Sequence, residues 1–167
     1  MSDLYSEWLV KRETPKYTMA VKLLIFCAML ISFTLSILML SVIPFIISAG
    51  FGVLFYFYAT GVNVEYEYIY VNGELDIDII KNRTRRKKCI SFDMAHLEIM
   101  APEGSYLLDG YRNKTCKTYD FTSGVKNAAG RYVIYGTDKN EMIKIIFEPN
   151  EKIVNEMRYN SPRKVNL

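Results

Sequence analysis

No charged side chain occurs between residue 23 and residue 64, and this run constrains the chain more than any other feature. Its forty-two residues are too many for one membrane crossing, because about 20 apolar residues span a hydrocarbon core ~30 Å thick. They suit two crossings joined by a tight turn. Ser41 and helix-breaking Pro44 stand near the middle, where such a turn is expected. Two buried helices of a soluble protein rarely run so long without a charge. The run predicts a transmembrane helical hairpin over residues 17–61, after a polar N-terminal segment over 1–16 and before a separate domain over 62–167.

The flanks refine this. The first apolar segment follows a polar lead-in, exceeds a usual signal-peptide core and runs almost directly into a second apolar segment, so both helices are expected to be retained. Lys11, Arg12, Lys16 and Lys22 precede the hairpin, its turn has no basic residue, and Lys81, Arg83, Arg85, Arg86, Lys87 and Lys88 follow it. The positive-inside rule then predicts two spans with both termini and the domain in the cytoplasm. Three cysteines, Cys27, Cys89 and Cys116, with no CxxC, do not resemble a secreted scaffold or a zinc site. A Cys89–Cys116 disulfide belongs only to the reversed topology, as do the sequons at Asn82 and Asn113.

Residues 65–167 carry 17 Lys and Arg against 15 Asp and Glu, a balance that demands no polyanionic partner. The clearest local signal there is Asn72-Gly73, which suits a two-residue type I′ turn because both residues tolerate positive φ. Pairing outward from that turn sets Tyr66, Tyr68 and Tyr70 on the face of Leu75, Ile77 and Ile79, with Glu67 and Asp78 opposed on a solvent face. Further strands are expected at residues 88–94, 96–100, 115–121, 131–135 and 142–147, with a loop over 103–113. Turns are expected at Ser123-Gly124 and over 127–130. A helix should begin near Pro149 or Asn150 and end before Ser161-Pro162. About seven strands and one terminal helix predict a mainly β domain, a curled antiparallel sheet or small barrel closed by its C-terminal helix.

This order of elements resembles that of pleckstrin-homology-like (PH-like) domains. More specifically, the chain resembles a family of small Firmicutes membrane proteins, the DUF6106 group, to which no activity has been assigned. The resemblance is carried by residues 65–78 (EYEYIYVNGELDID), the basic segment 83–88, Ala101-Pro102, and the ending with Phe147-Glu148-Pro149 and Pro162-Arg163. It covers nearly the whole chain, implies a bacterial cell-membrane protein, and brings no catalytic residue with it. Fold alone does not give function.

Among candidate sites, the basic segment Arg83, Arg85, Arg86, Lys87 and Lys88 has the clearest chemistry. Cations held near an anionic leaflet gain about 1 kcal/mol each, and the hairpin keeps the domain close to that leaflet. The competing reading is a solvated turn that only sets topology. Basic residues on an anchored chain are poor evidence for nucleic acid. The Tyr66, Tyr68 and Tyr70 row reads as sheet core whose hydroxyls need partners. His96, the only histidine, lies in no catalytic motif, and Asp76 with Asp78 lacks further metal ligands. No cofactor, metal or catalytic residue is therefore expected. Gly50, Gly52, Ser32, Ser36, Ser41 and Ser48 suit close helix contacts, within a homo-oligomer or with a membrane-protein partner. The expected role is a non-catalytic membrane-anchored adaptor contacting anionic lipid or a protein at the inner membrane surface. The alternative is a structural subunit of a larger membrane complex.

Overall fold

The computed structural model describes residues 5–125 and 128–167. It divides into two compact units, and the division does not follow the chain: one comprises Thr14–Val64 and Lys81–Arg85, the other Met1–Glu13, Glu65–Ile80 and Arg86–Leu167.

The first unit is a helical hairpin, α1 (Tyr17–Met39) and α2 (Val42–Gly61). Both helices are long and apolar enough to cross a membrane, and only 6% of each apolar window is buried. The turn falls at Leu40 and Ser41, where Leu40 takes a left-handed φ of 47° and its N–H bonds back to Ile37. Pro44 lies past the turn, in the first turn of α2, where a missing N–H costs nothing because it has no intrahelical partner. Two of the small residues expected in close helix contacts, Ser48 and Gly52, meet the other helix of the hairpin. Ser48 donates its hydroxyl to the Met29 carbonyl at 3.1 Å, and Gly52 lies against the Met29 sulfur.

The second unit contains the strands. β1 (Tyr5–Lys11), β2 (Val64–Val71), β3 (Glu74–Lys81) and β4 (Arg85–Asp93) form one sheet in that order. β5 (Leu97–Pro102), β6 (Lys117–Asp120), β7 (Tyr132–Asp138) and β8 (Glu141–Phe147) form another, ordered β5-β7-β8-β6. The mainly β domain with a C-terminal helix is as expected, and its strands divide into two four-stranded sheets. The β5–β7 and β7–β8 pairs are antiparallel, while β6 runs parallel to β8.

The polar segment expected over residues 1–16 needs correction. Within its described part, Tyr5–Lys11 is a strand paired antiparallel with β2, Lys11 opposite Glu65 and Val10 opposite Tyr66. It buries Ser6 and Val10. The hairpin is therefore an insertion between the first two strands of the sheet. Of the turn expected over 127–130, residue 127 lies outside the described residues.

The Asn72-Gly73 turn takes φ of 48° and 92°. Tyr66, Tyr68, Tyr70, Leu75 and Ile77 are buried, whereas Ile79 is only partly so. Each tyrosine hydroxyl has a partner. Tyr66 accepts from Arg12, Tyr68 donates to the Phe121 carbonyl at 2.6 Å, and Tyr70 accepts from Asn160. Phe92 packs so closely on β7 that a methyl group at Gly136 would fall 2.5 Å from its ring.

Segment 103–113 is not a plain loop. It forms a 3-10 turn over Tyr106–Leu108 and the short helix α3 (Asp109–Arg112). Leu108 packs with Val133 and Tyr135 in a small core of its own. The helix α4 (Glu151–Asn160) buries Ile153, Val154 and Met157, and Asn150 caps it by accepting from the Ile153 N–H.

Candidate functional site

The basic segment splits according to strand register. Arg83 occupies the β3–β4 turn, Asn82-Arg83, with φ of 51° and 58°. Arg85 begins β4 and is exposed. Arg86 is already committed. Its Nε donates to Asp78 at 2.8 Å, and its guanidinium also pairs with Glu67. Lys88 pairs with Asp76 at 2.8 Å, and that bond raises its pKa. Lys87 stays exposed, with no ion pair among the described residues.

The pairing of Arg86 corrects a second expectation. Glu67 is 5% exposed and Asp78 is also largely covered, although both were expected to face solvent. The cause is β4. Once it adds to the sheet beside β3, the Arg86 side chain lies over the carboxylates that face outward from β2 and β3. Ser91 also donates to Glu74 and Asp76. Arg86, Lys88 and Ser91 reach this acidic face while Ile90 and Phe92 are buried, so strand alternation breaks near Cys89.

The other sequence candidates have ordinary settings. His96 is exposed on a 3-10 turn (Met94–His96). Asp76 and Asp78 are taken up by Lys88 and Arg86, and no cluster of three His, Cys, Asp or Glu is arranged for a metal ion among the described residues. Cys27, Cys89 and Cys116 form no disulfide. Glu148 is structural. It accepts from Arg131 Nε at 3.1 Å and from the backbone and hydroxyl of Ser123, pinning the segment after β6. Glu13 donates its N–H to the Ser123 carbonyl at 2.7 Å.

The hairpin unit has a one-sided charge, of which sequence reasoning singled out Arg83 and Arg85 for lipid and took Lys16, Lys22 and Lys81 only as a topology signal. It contains Lys16, Lys22, Lys81, Arg83 and Arg85 and no Asp or Glu. The β3–β4 turn belongs to this unit, and the Asn82 N–H donates to the Asn63 carbonyl just past α2. Three of the five cations therefore gather where the second helix ends. The readable signal is the lack of acid over residues 14–64 and 81–85 together, which only the fold brings side by side.

This arrangement of two sheets, a C-terminal helix and an inserted apolar hairpin agrees with the family comparison. A family model described as a bacterial PH-like domain, DUF6106, matches residues 2–167. The chain belongs to that family. The match includes β1 and the hairpin, so in this family member the PH-like domain and its apolar insertion form one unit of sequence. No curated protein and no solved structure matches the chain.

Proposed function

We propose that this chain is a non-catalytic module anchored in the bacterial cell membrane by its hairpin, holding a PH-like domain at the inner surface to contact anionic lipid and a membrane partner. One observation carries the reading. The hairpin unit has five cations and no acid, with cations gathered at its helix ends, where anionic headgroups meet a membrane span.

The β1–β2 pairing supports two crossings. Strands flanking the hairpin are partners, so both ends must emerge on one side. The basic flanks favour the cytoplasmic side. Exposed apolar side chains along both helices suit lipid as their solvent. The lipid contact differs from the one expected along the whole basic segment. Lys81 and Arg85 carry it, assisted by Lys16 and Lys22, because Arg86 and Lys88 already hold carboxylates.

The test is the lipid that co-purifies with the full-length chain in mild detergent. Enrichment of phosphatidylglycerol over phosphatidylethanolamine relative to the bulk membrane, falling with added salt, is the expected result. A bulk-like lipid ratio together with a stoichiometric protein partner would instead make the chain a structural subunit.

A further inference from the structure

Beside the end of α2 the hairpin unit contains a cleft of about 370 Å³. Tyr56, Phe57 and Thr60 line one side, and Lys81, Thr84 and Arg85 line the other. Every one of these residues belongs to the hairpin unit. The two walls differ in chemistry. Tyr56 and Phe57 are exposed aromatics on the last turns of the apolar helix and pack edge to face, 5.7 Å between centroids. Lys81 and Arg85 are exposed cations with no ion pair among the described residues. The unit offers no carboxylate to neutralise them.

Deepening the lipid-contact reading above and resting on it, we infer that this cleft is a discrete site for one anionic diacyl phospholipid. Lys81 and Arg85 take the headgroup phosphate, and the Tyr56–Phe57 wall receives the first part of its acyl chains. Charge complementarity selects the occupant. A phosphate can be held by two cations with N–H donors, arginine in a fork. An aromatic wall at the end of an apolar helix suits the headgroup–acyl boundary. A free phosphate would satisfy only the cationic wall. A zwitterionic lipid brings its own ammonium toward two cations. The β3–β4 turn fixes the distance between the walls, because Asn82 is bonded to Asn63 and the Thr84 N–H to the Lys81 carbonyl.

The experiment titrates the full-length protein in nonionic detergent with dihexanoyl phosphatidylglycerol, dihexanoyl phosphatidylcholine and inorganic phosphate in separate arms. Native mass spectrometry counts what stays bound. Two variants are compared: Lys81→Gln with Arg85→Gln, and Lys16→Gln with Lys22→Gln, which removes equal charge from outside the cleft. One phosphatidylglycerol per chain is expected at concentrations where phosphatidylcholine leaves no adduct. The cleft variant should bind it roughly thirtyfold more weakly, and the control only a fewfold. Equal losses in both variants would overturn the discrete site while leaving a diffuse anionic-surface contact intact. No preference for the anionic lipid in any form would overturn both. Retention of inorganic phosphate as strong as that of the lipid would overturn the role of the aromatic wall.

Discussion

Arg86 on β4 reaches over β3 to the carboxylate of Glu67 on β2, and its Nε holds Asp78 at 2.8 Å on the way. One side chain thus ties three strands on the sheet's outer face. Glu67 is nearly sealed from water whereas the guanidinium is half exposed, so removing the cation strands a buried charge. Arg86→Ala should cost about 1–3 kcal/mol, below the value for a fully buried pair because the arginine remains wet. Lys87→Ala, one residue along, should cost almost nothing. Urea denaturation of the two variants measures the difference, and equal losses would mean that the bridge does not hold the sheet.

Gly136 meets Phe92 with no room for a β-carbon, since one would also stand 2.8 Å from the His96 carbonyl oxygen. Gly136→Ala must push β7 away from β4 and the 3-10 turn, a change in a packed interior that costs about 1–3 kcal/mol. Thermal unfolding reads this directly. Gly104→Ala, where no atom lies within 4 Å, is the control expected to leave the midpoint in place.

Alkaline pH should weaken the sheet through its tyrosines. Burial raises the pKa of Tyr68 and Tyr70 above the ordinary value of 10.0. A pKa higher in the folded state than in the unfolded state means that stability is fully present below about pH 10 and falls as pH rises toward the folded value. Denaturation midpoints from pH 8 to 11 should stay level and then drop. Tyr68→Phe should flatten part of that drop while lowering stability at pH 8 by about 1 kcal/mol, because the Phe121 carbonyl loses its donor.

The β7–β8 turn offers a stabilising change. Lys139 and Asn140 both take left-handed φ, 47° and 68°, a conformation that costs an ordinary side chain ~1 kcal/mol and suits Asn-Gly best. Lys139→Asn with Asn140→Gly should raise stability by about 0.5–1 kcal/mol. An unchanged or lower unfolding midpoint would show that the lysine pays no strain there.

Deleting residues 1–12 tests the placement of β1. A polar lead-in would be dispensable. An edge strand paired with β2 along Tyr66, Tyr68 and Tyr70 and burying Val10 is not, and its loss should destabilise the domain by several kcal/mol, at ~25 cal/mol for each Å² of apolar surface uncovered. Hydrogen exchange along β2 in the truncated protein should rise well before exchange in β7.

How much of this was legible depended on local chemistry. The β2–β3 hairpin could be read because Asn72-Gly73 declares its turn and two alternating faces agree. The β3–β4 hairpin has the same left-handed turn, but Asn82-Arg83 lacks the glycine that signals it, so its cations read as a solvated turn and not as the start of a strand. β1 was missed because Tyr5, Trp8 and Leu9 are exposed, which blurs the alternation, and because its partner lies beyond the hairpin. The basic segment was visible as a run of charge. Which of its members remain available was not, since Glu67, Asp76 and Asp78 meet Arg86 and Lys88 only through strand register.

The insertion between β1 and β2 also sets an order of manufacture. A ribosome completes the first strand, then the whole apolar hairpin, and only afterwards the strand that the first one pairs with. The sheet cannot close while the hairpin is still being made. Closing it must bring together two ends separated by a long segment, an entropic cost that grows with loop length and that shrinks once the two helices have paired. Biogenesis of the hairpin therefore precedes, and gates, the folding of the domain that surrounds it in sequence.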